Sequence, residues 1–334
     1  MLKTILVVVI ALLLGGYSCL RYHYLWSRMR IPLMCYYVFQ AVLLGTLFVC
    51  FFFTYYINND VMLFVIQLIS CIYIMVMLVT PIFSMIRGAV RMIGKRAGWK
   101  NRFFSFFNHP TKVSKIVLVV TILMGIAFFV QIKIPQISKK TVQINKQASV
   151  NSLTVAAVSD LQIGRCMTRH EIDIYFEKLK QCQPDYVIFL GNIYSYPANR
   201  NLREYTYKYL KQLAGDIPVY WVEGPNEENQ KESVTREIRS LGVKILQDEL
   251  IQLSNGIQLV GCRYQKDKKK KDITFICSLL DKNKPAIVLS YEDFKDKEKR
   301  PTDSDLLLHA ETHYEKWISP KQISLFHIQF KPRD

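Results

Sequence analysis

The chain has 334 residues, half of them hydrophobic, with 44 Lys and Arg against 27 Asp and Glu for a formal net charge of +17. That length gives room for about two domains. So positive a chain would suit a nucleic-acid binder, but the charge distribution excludes that class. Residues 1–138 hold 13 basic residues and one acid, whereas the remainder is nearly balanced at 31 against 26. Cations confined to loops between apolar segments are a membrane-topology signal, not a polyanion footprint.

A bilayer core about 30 Å thick needs about 20 apolar residues in a helix. Four stretches reach that length: residues 2–20, 33–56, 61–86 and 116–134. The first also resembles a secretion signal, with Lys3 ahead of an apolar run. However, Gly16-Tyr17-Ser18-Cys19 sets a bulky Tyr17 where cleavage needs small residues, so a retained helix is expected. The loop after it carries Arg21, Arg28 and Arg30, the turn at residues 57–60 carries no cation, and the loop after the third stretch carries eight between Arg87 and Lys115. Alternation of this kind predicts a four-helix, multi-pass membrane region with both chain ends outside, so that the C-terminal part faces the periplasm or the cell exterior. In the third loop Trp99, Phe103, Phe104, Phe106 and Phe107 stand among cations and predict an interfacial amphipathic segment on the cytoplasmic side. Membrane lipids are therefore expected partners, and nucleic acid is not.

The polar residues 136–151 are expected to link this transmembrane region (1–135) to a soluble domain over 152–334. There, short apolar runs at 153–158, 186–190, 218–222, 243–246, 286–290, 306–309 and 323–330 read as strands. Segments 170–181, 202–213 and 228–241 have helical spacing; in the first, Ile172, Tyr175, Phe176 and Leu179 share a face. Runs at 250–253 and 257–262 flank Asn255-Gly256, a hairpin turn pair. Strands alternating with helices predict an α/β sandwich. Eight cysteines show no C-x-x-C spacing. Cys19, Cys35, Cys50 and Cys71 fall in or beside apolar helices, while Cys166, Cys182, Cys262 and Cys277 lie in the soluble domain, where an oxidising compartment would let them pair. The run Lys266–Lys271 is expected to be a solvated loop, with an anionic-lipid contact as the alternative.

Chemistry in such sheets sits just beyond the strand C-termini. Five of these ends carry Asp160-Leu161-Gln162-Ile163-Gly164, Gly191-Asn192, Gly224-Pro225-Asn226-Glu227, Ser290-Tyr291 and Ala310-Glu311-Thr312-His313. Their order and spacing resemble the calcineurin-like metallophosphoesterases, whose pattern is D-x-H-x-G, G-D, G-N-H-[DE], a lone His and G-H-x-H. The likeness spans about residues 151–320 and points to the membrane-anchored bacterial branch, which also places membrane helices ahead of this domain.

The resemblance implies two divalent cations about 3.5–4 Å apart, which clamp a phosphoryl group and supply a metal-bound hydroxide. Residue by residue the carry-over fails. Asp160 matches the first Asp, but Gln162 stands at the next His, Asn192 at the bridging Asp, Pro225 at the ligand Asn and Asn226 at the catalytic His. Tyr291 stands at the lone His and Glu311 at the first His of the last motif, whereas His313 matches the second. Gly164, Gly191 and Gly224 match too, and speak for backbone geometry, not for chemistry. The expectation is thus a pseudophosphoesterase acting as a binding or regulatory module, with a protein partner or a phosphorylated envelope ligand. The alternative is an active hydrolase with an altered, mononuclear site, in which Asp160, Glu311 and His313, with Glu227 as a further candidate, hold one divalent metal (Mn, Mg, Ca, Fe or Zn). Glu227 also reads as a helix-opening acid serving the dipole and the cap.

Overall fold

The computed structural model describes residues 15–18, 20, 22–23, 33–52, 56–57, 59–100, 102–164, 167–230, 232–264, 273–292, 304–310 and 321–331. It divides into two compact units, Met1–Gln131 and Ile132–Asp334.

The first unit is helical: α1 (Leu33–Phe52), α2 (Asp60–Arg96), α3 (Arg102–Asn108) and α4 (Pro110–Lys133). Among the described residues two helices are long and apolar enough to cross a membrane, α2 and the Lys112–Lys133 stretch of α4. They match the third and fourth of the four expected spans. Residues 2–14 of the first lie outside the described residues, and the second is α1, a helix of 20 residues without a charged side chain.

Helix α2 runs ten residues past its expected end at 86, because nothing between Arg87 and Arg96 breaks a helix and Lys95 and Arg96 favour its C-terminal dipole. Its buried stripe contains Leu63, Ile66, Gln67, Ser70, Met77, Thr80 and Arg87, while Val61, Ile82 and Met85 are exposed. The inward face is thus the more polar one, and three of its polar side chains bond inside the unit: Tyr73 OH donates to Gln40 (3.2 Å), Tyr22 OH pairs with Thr80 (3.1 Å) and Arg87 Nε donates to the Phe107 carbonyl (2.8 Å). Inside-out polarity of this kind suits an apolar surrounding. The aromatic loop departs from a simple interfacial segment. Phe104 is buried against Gly94 and Phe107 stacks on Phe83, while Trp99 and Phe106 are exposed.

The second unit is a layered α/β sandwich. Its elements are β1 (Gln136–Ile144), β2 (Ser152–Val158), α5 (Arg169–Gln181), β3 (Tyr186–Leu190), α6 (Arg200–Asp216), β4 (Val219–Val222), α7 (Pro225–Glu228), α8 (Glu232–Ser240), β5 (Lys244–Ile245), β6 (Glu249–Gln252), β7 (Gln258–Gly261), α9 (Ile273–Ser278), β8 (Ala286–Ser290), β9 (Leu306–His309) and β10 (Gln322–Phe330). One mixed sheet has the order β1-β10-β2-β3-β4-β5 and the other β6-β7-β8-β9. One apolar core joins the first sheet to α5, α6 and α8, and another lies between the two sheets. A small third core, with Cys262 and Cys277 among its members, joins the second sheet to α9. Cys166 and the Lys266–Lys271 run lie outside the described residues.

Local sequence accounts for most of this. Helix α5 opens on a capping box in which Thr168 accepts from the Glu171 N–H and Glu171 accepts from the Thr168 N–H, and its expected apolar face is buried. The Asn255-Gly256 turn closes an antiparallel β6–β7 pair, with Gly256 at φ +84°. The helix expected over 228–241 is the shorter α8, and the separate turn α7 precedes it. The largest departure is β1. Residues 136–144, expected within a linker, pair in parallel with β10 over all nine positions, from Gln136–Gln322 to Ile144–Phe330. Removing this strand should uncover the β10 edge and cost roughly 3 kcal/mol or more, or about 10 °C in melting temperature. A fragment beginning at residue 145 is therefore expected to melt lower, or aggregate sooner, than one beginning at 134. Equal melting curves would return β1 to the status of a linker.

Candidate functional site

Strands β2, β3 and β4 are parallel neighbours, so their C-terminal loops lie side by side. The loop backbones leave the strand region at once: Asp160, Gln162 and Asn192 sit at φ 53°, 53° and 52°. For residues other than glycine that left-handed conformation costs about 1–2 kcal/mol each. Bonds between the two loops offset it. Asp160 N donates to the Gly191 carbonyl (3.1 Å), Gln162 N to the Asn192 carbonyl (3.1 Å) and Ile163 N to the Ile193 carbonyl (2.8 Å).

A third loop is drawn in by Glu227 at the start of α7. Its carboxylate is buried and accepts three backbone N–H groups, from Asn192 (2.7 Å), Gly224 (3.1 Å) and Tyr194 (3.1 Å). Burial pushes this carboxyl up from 4.5 to about 7, against the pull of those N–H groups. The sequence pointed to a helix cap, which the Gly224 bond is. The bonds that reach across to the neighbouring loop were not legible from spacing.

The expected site positions converge around Asn192. Its side-chain oxygen accepts the Asn226 N–H (3.0 Å), which fixes the amide so that Nδ2 faces the other way. Nδ2 then donates to Asp160 Oδ1 (3.0 Å) and to the Tyr291 hydroxyl. Tyr291 OH in turn donates to Asp160 Oδ1 (3.4 Å). Burial first, then the Asp160 and Glu227 charges, push the Tyr291 phenol well above its ordinary value, so it stays a proton donor. Its ring lies over two glycines: a Cβ added at Gly191 or Gly224 would come within 2.7 or 2.9 Å of Tyr291 Cδ2. Tyr264 closes edge-on against the same ring, with centroids 5.7 Å apart. Asn226 Nδ2 donates to Gln162 Oε1 and to the Tyr194 carbonyl, both at 3.1 Å. Lys321, buried and not singled out by the sequence, donates to the Asp160 carbonyl (3.4 Å).

Asp160, Gln162, Asn192, Asn226 and Tyr291 are thus brought together. Pro225 stands at the first turn of α7, where it has no N–H or side-chain ligand to offer. Glu311 and His313 lie outside the described residues. The donors that are described do not fit a pair of divalent cations. Such ions need several anionic oxygens or neutral imidazoles. Here one carboxylate faces an amide NH2 and a phenolic O–H, and the Gln162 oxygen is engaged by Asn226. Among the described residues no group of three His, Cys, Asp or Glu is placed to hold a metal.

No protein-family profile and no curated protein matches the sequence. Among solved structures, TT1561 of Thermus thermophilus is 13% identical, with 52% of this chain and 88% of that chain covered and a TM-score of 0.35. A second is 10% identical, with 52% and 89% covered and a TM-score of 0.34. Likenesses of this size identify neither a family nor an activity.

Glu227 gives the site a pH signature. Its folded value lies above the unfolded one, so the folded state binds the proton more tightly. The stability it contributes is fully present below about pH 4.5 and is lost as pH rises through about 7, on the order of 3 kcal/mol in all. Melting temperature followed from pH 5 to 8 is expected to fall, and Glu227→Gln to flatten that slope while lowering stability at pH 5 through its unmatched N–H groups. A variant that keeps the slope would assign the titration to another group.

Proposed function

We propose that this chain is a membrane-anchored relative of the metallophosphoesterases whose site has become catalytically silent, and that it works as a binding or regulatory module. The observation that carries this reading is the Tyr291 ring seated over Gly191 and Gly224, with its hydroxyl bonded to Asp160 and Asn192. In the proposed ancestry Tyr291, Asn192 and Asp160 hold the positions of the lone His, the bridging Asp and the first Asp. A phenol and an amide now fill the space between strand ends that metals and substrate would need. On this reading the N-terminal region has four spans with both chain ends outside, and the second unit faces the periplasm or exterior, as the alternation of loop cations supports. Its ligand would then be an envelope component or a protein partner, and lipids would surround the first unit.

The deciding experiment is hydrolysis of bis-p-nitrophenyl phosphate by the full-length protein in detergent with millimolar Mn²⁺. The rate is expected to equal that of Asp160→Ala, and calorimetric titration should show no saturable Mn²⁺ uptake. Turnover above that control would overturn the silent-site reading in favour of a hydrolase with an altered metal site. The double variant Asn192→Asp, Tyr291→His restores an anion and an imidazole, and is expected to gain Mn²⁺ binding that the parent lacks.

A further inference from the structure

Helix α9 covers the outer side of the second sheet. Side chains alternate along these strands: Leu259, Ile287 and Leu289 enter the core between the sheets, while Val260, Ala286 and Val288 face the other way, into the small core beneath α9. Cys277 of α9 and Leu280 just after it are buried there, with Ile276 packed beside them. The last turn is closed by Leu279 N–H to the Ile276 carbonyl (3.2 Å) and Leu280 N–H to the Cys277 carbonyl (3.1 Å). Helical spacing then puts Phe275, Ser278 and Leu279 on the opposite face.

A helix that packs on a sheet by one face normally turns polar groups to water on the other. Here Phe275 is 69% exposed and Leu279 58%, the two most exposed large hydrophobics among the described residues of the second unit. Four residues apart on a helix, they adjoin each other and make one patch, unlike scattered apolar side chains that need no explanation.

The charge beside this face is as uneven as its exposure. Residues 139–334 carry a net charge of +5. Residues 266–284, which include α9, hold seven lysines and three aspartates, so nearly all of that excess falls within nineteen residues. Five of the lysines belong to the run Lys266–Lys271, which ends two residues before α9 begins. The cations are all lysine, a compact charge without the planar fork by which arginine recognises one shaped partner. Diffuse positive charge next to an exposed apolar pair matches a bilayer, whose anionic surface overlies an apolar interior.

We propose that the outward face of α9 docks on an anionic lipid surface, with Phe275 and Leu279 entering the headgroup layer and the neighbouring lysines meeting the lipid charge. The inference rests on the membrane-anchored reading of the chain and not on the silent site. An apolar anchor or a basic run holds a membrane weakly by itself, whereas the two together suffice. Anchoring by the first unit makes the contact intramolecular, so even a weak one is well populated. The second unit thereby gains a point of attachment to the bilayer besides the chain that enters it at β1.

Photo-crosslinking of the full-length protein in nanodiscs tests the assignment. Three single variants are compared, Phe275→p-benzoylphenylalanine, Leu279→p-benzoylphenylalanine and Ile82→p-benzoylphenylalanine, the last on an exposed position of α2. After irradiation, lipid adducts are read by intact mass spectrometry. Adducts are expected at all three positions when the nanodiscs contain phosphatidylglycerol. At 275 and 279, but not at 82, the yield is expected to fall about fivefold or more in phosphatidylcholine alone. Adducts at 82 with none at 275 or 279 would overturn the docking proposal and leave the anchored reading standing. No adduct at any position would sink the anchored reading and the docking with it. Equal yields at 275 and 279 in both lipids would overturn the anionic assignment, and protein–protein crosslinks in place of lipid adducts would assign the face to a second copy.

Discussion

Three backbone N–H groups end on one buried carboxylate, and the geometry around Asn192 depends on that arrangement. Asn192 and Tyr194 lie beyond β3, Gly224 beyond β4, and Glu227 opens the short helix that follows. A left-handed residue at a strand end cannot hand its N–H to the next rung of the ladder, so Asn192 needs an acceptor from elsewhere. Glu227 is that acceptor, and it fixes the separation of the β3 and β4 loops. With the loops fixed, the Asn226 N–H meets the Asn192 oxygen, the Asn192 amide turns toward Asp160, and a phenol at position 291 finds both a donor and an acceptor.

That chain of dependence decides what the strand ends are able to hold. An aspartate at 192 would place a second negative charge beside Asp160, and two carboxylates so close are stable only around cations. An asparagine removes the charge and supplies the N–H that Asp160 requires. A histidine at 291 would present a ring nitrogen to an ion, whereas tyrosine presents an O–H, raised by burial beyond reach of ionisation. Each exchange makes the next one more favourable. Asn226 and Asp160 hold the Asn192 amide, and that amide with Asp160 in turn holds the Tyr291 hydroxyl.

Much of the fold was legible, for local reasons. The apolar stripe of α5 and its Thr168–Glu171 box, the Asn255-Gly256 turn and the runs of β2, β3 and β8 all carry their signals within a dozen residues. What escaped was non-local. Strand β1 has a polar, lysine-bearing sequence because it is an edge, and its partner β10 lies about 180 residues away, so neither periodicity nor spacing marks it. Site positions could be located by motif order, and glycines 191 and 224 did signal close backbone approach. Glu227, by contrast, looked like an ordinary helix-opening acid. Its reach to the β3 loop exists only once the parallel sheet has brought that loop alongside.

The same contacts bear on how such a domain stays folded without a loaded site. Three non-glycine residues in left-handed conformations together cost a few kcal/mol, which ligation can offset in a metalloprotein. Here the offset is built in: loop-to-loop backbone bonds, the Glu227 clasp and the amide–phenol network satisfy the groups that the unusual backbone exposes. Stability of the strand ends is thereby separated from occupancy by any ion. A scaffold of this kind presents the same surface whether or not metal is at hand. On the proposed reading of a silent site, constancy of that sort would serve recognition, whereas turnover needs groups that open, exchange and close around a reacting phosphate.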